Sequence, residues 1–345
     1  MVEDGAPYDA VVVVSFGGPE GPDDVAPFLA NVTRGRDVPP ERLAEVAERY
    51  QRFGGVSPLN ASVRRFVAAL EAELAARGRP LPVYWGNRNW RPFLADTVAE
   101  MAAAGVTRAL AFVTSAFGSY SSCRQYLEDL EAARRVVGPA APELHKLRLF
   151  YNHPRFVAAQ AADLARALSR PGWGDARLVF TAHSIPAAMA AGCSYEAQLR
   201  EACRLTAAAA GRAGGWTLAY QSRSGPAQVP WLGPDILDAL RAAAAEGARR
   251  VVVTPVGFVA DHFEVVWDLD VEAAAVAAGL GLELDRTATG GDRPELVALA
   301  AELVEERLDP GRPRAVLGAL GAWPDACPAD CCAPPGPRSR PGRRD

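Results

Sequence analysis

The chain has 345 residues, 49% of them apolar, and a formal net charge of −4. That length can bury two cores of ordinary size, so two domains are expected rather than one, and the weakly acidic balance leaves no basic footprint for nucleic acid. No apolar run approaches the roughly 20 residues that cross a bilayer, and the N-terminus lacks a basic flank before an apolar core, so a soluble cytoplasmic protein is expected. In that setting six cysteines point to free thiols or metal ligands before disulfides.

Strands alternate with alanine-rich helices. Asp9 to Ser15 reads as a strand entering a turn at Gly17-Gly18-Pro19, followed by helical stretches over Pro22 to Asn31, Pro40 to Phe53 and Ser62 to Arg77. Pro82 to Gly86 is a strand, Pro92 to Ala104 a helix, and Arg108 to Thr114 a strand. Pro154 to Leu168 is helical, and Arg177 to Thr181 is a strand ending at His183. Tyr195 to Ala213 is a helix, Thr217 to Gln221 a strand, Pro234 to Glu246 a helix, and Val251 to Val256 a strand. The alternation predicts an α/β fold of parallel sheets covered by helices on both sides. Two similar halves predict two doubly wound domains, residues 1–150 and 151–309, around a cleft. A linker is expected between Ala140 and Pro154, where prolines and charge break the periodicity. From Pro310 the composition turns rich in Pro, Gly and Arg, which predicts a tail, 310–345, without regular structure.

The densest chemistry follows the Val251 strand. Asp261-His262-Phe263-Glu264 is continued by Asp268 and Glu272, and on a helix Glu264, Asp268 and Glu272 fall within roughly 80° of one another over about 12 Å. Three acids at this spacing are commonly a solvated face. The flanking Val265, Val266, Trp267, Leu269 and Val271 argue for partial burial, where a row of like charges makes most sense with a cation to bind. A second feature, Thr181-Ala182-His183-Ser184-Ile185-Pro186, puts a histidine at the carboxyl end of a strand, where open α/β sheets bind ligands and an imidazole can take a proton or a metal. His262 could orient the acids. His145 and His153 have no such context and receive no role.

Five motifs in order resemble the ferrochelatase family between about Tyr8 and Leu308: Ser15-Phe16-Gly17-Gly18-Pro19, Phe53-Gly54-Gly55-Val56-Ser57-Pro58-Leu59, Ala182-His183-Ser184-Ile185-Pro186, Pro230-Trp231-Leu232-Gly233-Pro234, and Gly257-Phe258-Val259-Ala260-Asp261-His262-Phe263-Glu264. The resemblance implies a chelatase-like fold of two Rossmann-like domains that inserts Fe²⁺, a substrate, into a porphyrin held in the cleft. His183 and Glu264 then stand closest to the metal as the catalytic pair, one taking pyrrole protons and one delivering iron in an order left open here, with Asp268 and Glu272 completing the metal row. Phe16 occupies the opposite face of the ring, so no axial oxygen is offered there. Phe16, Trp231 and Phe258 are candidate walls, although core is the commoner fate of an aromatic. Ser57 and Tyr126 match substrate-holding positions, with Arg49 and Tyr50 as propionate partners and Arg34, Arg36 and Arg88 as weaker ones.

The lip segment from Val32 to Arg42 is dominated by polar and charged residues. That suits a tetracarboxylate better than a substrate fed from a bilayer, and the actinobacterial branch it resembles implies coproporphyrin III as substrate and coproheme as product. Cys327, Cys331 and Cys332 in the tail, with Cys123 as fourth ligand, resemble the set that holds a [2Fe-2S] cluster in some ferrochelatases. Cys193 and Cys203 are alternatives, as is a zinc site. Competing readings are a protoporphyrin IX ferrochelatase, a cobalt chelatase for a corrin precursor, and a haem or iron carrier. A nucleotide-dependent oxidoreductase is disfavoured because Gly17-Gly18-Pro19 lacks G-x-G-x-x-G spacing. A monomer is expected, in transient contact at most with neighbouring haem-pathway enzymes.

Overall fold

A computed structural model describes residues 7–35, 38–225, 228–328 and 330–334. Arg36, with Asp37 of the lip segment, lies outside the described residues. The first strand, β1 (Ala10–Ser15), sets four valines between an alanine and a serine and is buried along its whole length, as a parallel strand covered on both faces requires. Helices α1 (Val25–Val32), α2 (Pro40–Gln51) and α3 (Leu59–Ala76) lead to β2 (Val83–Asn87), α4 (Leu94–Ala103) to β3 (Arg108–Val113), and α5 (Gln125–Val137) to β4 (Glu143–Lys146). All pairings are parallel, in the order β2-β1-β3-β4.

The second half repeats the pattern. After α6 (Pro154–Leu168) come β5 (Arg177–His183), α7 (Ala187–Ala191), α8 (Tyr195–Ala209), β6 (Trp216–Gln221), α9 (Ile236–Ala245) and β7 (Arg250–Thr254). A composite helix follows: α10 (Phe263–Val265), a π-helical segment Val266–Ala273 and α11 (Ala274–Gly279). Then come β8 (Glu283–Arg286) and α12 (Pro294–Leu308). The sheet order is β6-β5-β7-β8, again parallel. One apolar cluster joins the halves, with Val11 and Phe112 of the first sheet and Phe180 and Val252 of the second. No helix among the described residues is long and apolar enough to cross a membrane.

One expectation changes, and the other holds with an addition. The segment expected as a linker contains β4, which pairs with β3, and its continuation through Leu147, Leu149, Phe150 and Tyr151 is buried. Prolines flank it, but its backbone is paired. The tail has no helix or strand over its described residues, yet it is fastened to the body. Leu317 N–H donates to the Asn152 carbonyl at 2.9 Å, Asn152 Nδ2 donates to the Gly321 carbonyl at 2.7 Å, and Ala319 N–H donates to Glu201 at 2.9 Å.

The firmest tether is ionic. Arg148 donates to both carboxylate oxygens of Glu306 at 2.7 and 2.9 Å with side chains 1% and 5% exposed. The same pair binds the Ala315 carbonyl and N–H. Glu306→Gln is expected to leave the guanidinium buried without a counter-charge and to cost about 3–5 kcal/mol in urea unfolding. A loss under about 1 kcal/mol, the scale of an exposed pair, would contradict this role.

Candidate active site

In the second sheet the strand order reverses at β5, whose successor β6 lies on one side and β7 on the other. Ligands of open α/β sheets bind beyond the carboxyl ends of such a pair. His183 closes β5, and Glu264 opens the helix that follows β7. The intervening turn is drawn against β5: Gly257 N–H donates to the Thr181 carbonyl at 3.0 Å, and a Cβ on Gly257 would stand 2.5 Å from that of Ala182. Only glycine permits that approach.

The imidazole of His183 is oriented by its neighbours. Nδ1 lies 2.6 Å from the Ser184 carbonyl oxygen. A carbonyl only accepts, so Nδ1 carries the proton and Nε2 faces Glu264 Oε2 at 3.5 Å. Ser184 is held by its N–H to the Gln221 carbonyl and its Oγ to the Leu232 carbonyl, both at 2.8 Å. Tyr195 donates its hydroxyl to the His183 carbonyl at 3.0 Å.

Burial disfavours charge on His183, but the hydrogen bond and charge of Glu264 outweigh it and raise the pKa above the ordinary 6.5. Glu264 shows the converse. Burial pushes its carboxyl up, and the hydrogen bond and charge of His183 bring it below 4.5. The two side chains remain 34% and 50% exposed, so they sit deep between elements while facing an opening. His262, edge-on to Phe258 at 5.3 Å, is held low chiefly by burial against the pull of Glu264. Asp261 is engaged by Arg286 at 3.1 Å.

The acid row forms, on a helix of unexpected kind. Residues 266–273 are π-helical, a conformation with i→i+5 bonds that recurs at functional sites. A four-residue step slightly exceeds an α-turn and falls short of a π-turn, so the acids keep one face. Trp267 Nε1 donates to Glu272 at 2.7 Å, five residues on. Asp268 accepts from Ser222 Oγ at 2.5 Å and Gln221 Nε2 at 3.3 Å. Its carboxyl is pushed up to about 6, mainly by burial and also by Glu264 and Glu272, despite the Ser222 bond. Ser222 has φ 60, a left-handed backbone that a non-glycine residue adopts at a cost.

The other candidates divide. Tyr50 stacks on Phe263 at 3.8 Å between centroids and joins Phe28, Trp90 and Trp267 in a buried cluster behind the row. Arg49 pairs with Glu45 at 2.6 Å and Glu272 at 3.3 Å, so its cation is spent on the acid row. Ser57 is buried behind the first turn, where Gly18 approaches it too closely for any Cβ, and Asn60 Oδ1 takes the Gly18 N–H at 3.2 Å, an amide that a nucleotide phosphate would need. Tyr126 lies in the core under Arg88, 4.7 Å from its ring, and Arg88 is bound to Asp129 at 2.9 Å. Phe258 is core as well. Phe16 is 37% exposed. Trp231 bridges to Pro186, three residues after His183. Arg34, exposed on the lip, is bound to the neutral Asn31.

His145 bonds Tyr8 at 2.7 Å, and His153 accepts from Arg155 N–H at the start of α6. Ser184, Tyr195, Ser222 and Asn60 were not singled out from sequence. Ser184 and Ser222 directly follow the carboxyl ends of β5 and β6, where the strand-end rule points, whereas Tyr195 opens α8.

In the tail, Trp323 Nε1 donates to Cys327 at 3.3 Å and Cys331 donates to Cys332 at 3.7 Å. Interaction with Cys123, together with the Trp323 bond, brings the Cys327 thiol down to about 5. Cys193 meets Cys332, whereas Cys203 is buried beside Tyr220 in the core. Among the described residues, no group of three or more His, Cys, Asp or Glu side chains is placed to hold a metal ion.

The raised pKa of Asp268 has a sign that can be tested. The folded chain holds this proton more tightly than the unfolded one, so stability falls as pH rises from the ordinary 3.8 through about 6. Asp268→Asn is expected to raise the melting temperature of the metal-free protein at pH 7.5, with the gain gone below pH 3.8. An equal or lower melting temperature at pH 7.5 would contradict the repulsion.

The ferrochelatase family profile matches residues 8–308. Similar curated proteins include the coproporphyrin III ferrochelatase of Frankia alni, 54% identical over 95% of this chain and 87% of that one. That of Mycolicibacterium smegmatis is 52% identical over 93% and 95%, and the ferrochelatase of Rhodopirellula baltica 51% over 94% and 93%. Among solved structures, SirB from Bacillus subtilis with Fe³⁺ superposes with a TM-score of 0.55 at 9% identity, covering 88% of this chain and 96% of that one. CbiX, the terminal enzyme for biosynthesis of siroheme in denitrifying bacteria, gives 0.51 at 19%, covering 86% and 98%. These two speak to the fold alone. The profile spans both sheets, the His183–Glu264 pair and the acid row: the chain belongs to the ferrochelatase family.

Proposed function

We propose that the chain inserts Fe²⁺ into coproporphyrin III to give Fe-coproporphyrin III. The observation that carries this is the His183–Glu264 pair at the head of a row of carboxylates. Metal insertion releases two pyrrole protons while a dication enters, so the site needs a base and a string of hard oxygen donors side by side. Neutral His183, its proton fixed on Nδ1, offers Nε2 to take the two pyrrole protons in turn, passing the first to solvent through the opening before taking the second, and Glu264 stabilises the imidazolium that forms. Glu272, Asp268 and Glu264 lead the cation inward. Trp231 and Phe16 are the walls for the ring. Its four carboxylates suit the polar lip, where Arg34 is bound to the neutral amide of Asn31. Coproporphyrin III is also the substrate named for the Frankia and Mycolicibacterium relatives. The enzyme works in the cytoplasm as a monomer.

The tail cysteines support a second assignment, a [2Fe-2S] cluster on Cys123, Cys327, Cys331 and Cys332. A two-iron cluster asks for two thiolates on each iron; Cys331 lies 3.7 Å from Cys332, but among the described residues the four cysteines are not gathered as one metal-holding group, so loading would have to draw them together. When bound it would clip the tail to α5's leading turn and supply one-electron redox chemistry, which metal insertion does not consume. Cys193, beside Cys332, is the remaining alternative ligand.

His183→Ala and Glu264→Gln are each expected to lower anaerobic iron insertion by about 10²-fold or more with circular dichroism unchanged. In the wild type the rate is expected to rise with pH through a value above 6.5, as His183 loses its proton. Retained turnover in either variant would sink the assignment. Protein purified without oxygen is expected to carry iron and sulfide that Cys331→Ser loses; a colourless wild type would contradict the cluster.

A further inference from the structure

Beyond the amino ends of β1 and β3 lies a cavity of about 540 Å³, on the scale of small-molecule sites. The six residues of β1 carry the chain about 20 Å from there to Phe16 and the turn at the other end of the sheet. Four stretches of chain meet at the cavity. The turn after α3 is set by Gly78, whose φ of 73 is the left-handed conformation that ends a helix, and it brings Arg79 to the mouth. Tyr8 precedes β1, Arg108 opens β3, and Arg307 and Leu308 end α12.

The lining contains three arginines, Arg79, Arg108 and Arg307, and no acid. Two of them share one aromatic ring. The guanidinium carbons of Arg108 and Arg307 lie 4.7 and 5.8 Å from the centroid of Tyr8, and Arg307 donates to the Tyr8 hydroxyl at 2.6 Å. That hydroxyl stands 2.7 Å from His145 Nδ1, so the ring that carries both cations is fixed at its far end as well. Glu143 meets Arg108 at 3.3 Å and Asp325 meets Arg307 at 3.1 Å. Neither acid lines the cavity, and Asp325 is shared with Arg314. Arg79 is exposed and among the described residues pairs with no carboxylate. In a chain of net charge −4 the attraction for an anion is therefore local to this opening. Guanidinium forks take carboxylate and phosphate oxygens two at a time. The remaining walls include Leu81, Leu308 and three prolines, which suit a hydrocarbon body behind the charged head.

We propose that this cavity is a second ligand site, separate from the porphyrin cleft, for a small organic dianion: a phosphate or paired-carboxylate head held by Arg79, Arg108 and Arg307, with an apolar body against Leu81 and Leu308. Arg108 and Arg307 form the preset base of the site on the Tyr8 ring, and Arg79 supplies the third cation at its mouth. The site shares no residue with the His183–Glu264 pair or the acid row.

The test is calorimetric titration of the full chain at low salt. Phenyl phosphate and phthalate carry the two kinds of head on one apolar ring; inorganic phosphate and phenol carry the head or the body alone. One molecule of phenyl phosphate or phthalate is expected to bind per chain, about tenfold or more tighter than inorganic phosphate, with no binding of phenol; the tighter of the two identifies the head. Arg79→Ala removes an exposed side chain and is expected to weaken that probe about tenfold, whereas Arg34→Ala, on the lip of the porphyrin cleft, is expected to leave its affinity unchanged. Binding of neither ring-bearing probe would overturn the inference. Unchanged affinity in Arg79→Ala, or a loss in Arg34→Ala, would place the probe elsewhere and overturn it too. Equal affinity for phenyl phosphate, phthalate and inorganic phosphate would likewise contradict it, by leaving the apolar wall without a role.

Discussion

The His183–Glu264 contact depends on how closely the turn after β7 can be laid against β5. The two strands are in register from Arg177 with Val251 to Phe180 with Thr254, and beyond that point the chain after β7 stays near β5 because Gly257 bonds Thr181 and carries no side chain to meet Ala182. From there the backbone reaches Glu264 within a few residues. The rest of the site is built outward from this closure. Ser184 turns the imidazole, Trp231 pairs with the chain just after it, and the acid row runs away from it along the composite helix.

That helix is held from behind as well as in front. Tyr50 and Phe53, from the first half of the chain, pack on Phe263 and Trp267, and Arg49 reaches Glu272. The end of α2 and the acid row are therefore one packed unit, with aromatic stacking on one side and carboxylates on the other. Arg49 offsets repulsion at the outer end of the row and His183 at the inner end. Asp268, in the middle, has hydrogen bonds but no cation, and it is the carboxylate whose ionisation is made hardest. A divalent cation arriving there would meet the part of the row that benefits most from it.

Much of this was legible in the sequence for a simple reason. Strands such as Ala10–Ser15 and Arg177–His183 are buried on both faces, so they stand out as apolar runs, and their carboxyl ends mark where to look for His183 and Glu264. The edge strands were not legible. Glu143-Leu144-His145-Lys146 and Glu283-Leu284-Asp285-Arg286 are short and largely polar, and β4 read as a linker because prolines surround it. Nor could the π-turn be read. A four-residue spacing of acids fits either helix type, and what distinguishes them is packing, including the Trp267–Glu272 bond. Ser222 carries no signature of its left-handed backbone. Burial cannot be read from a motif either: Tyr126 and Ser57, which matching motifs set against a substrate, are both buried in the structure.

The central claim is that the pair and its acid row insert iron into a tetracarboxylate porphyrin presented by a polar lip. The most direct measurement is the initial rate of anaerobic Fe²⁺ insertion by the purified protein into coproporphyrin III and protoporphyrin IX, side by side at equal concentration. Faster turnover of coproporphyrin III is the predicted result; a preference for protoporphyrin IX, or insertion into neither, would contradict it.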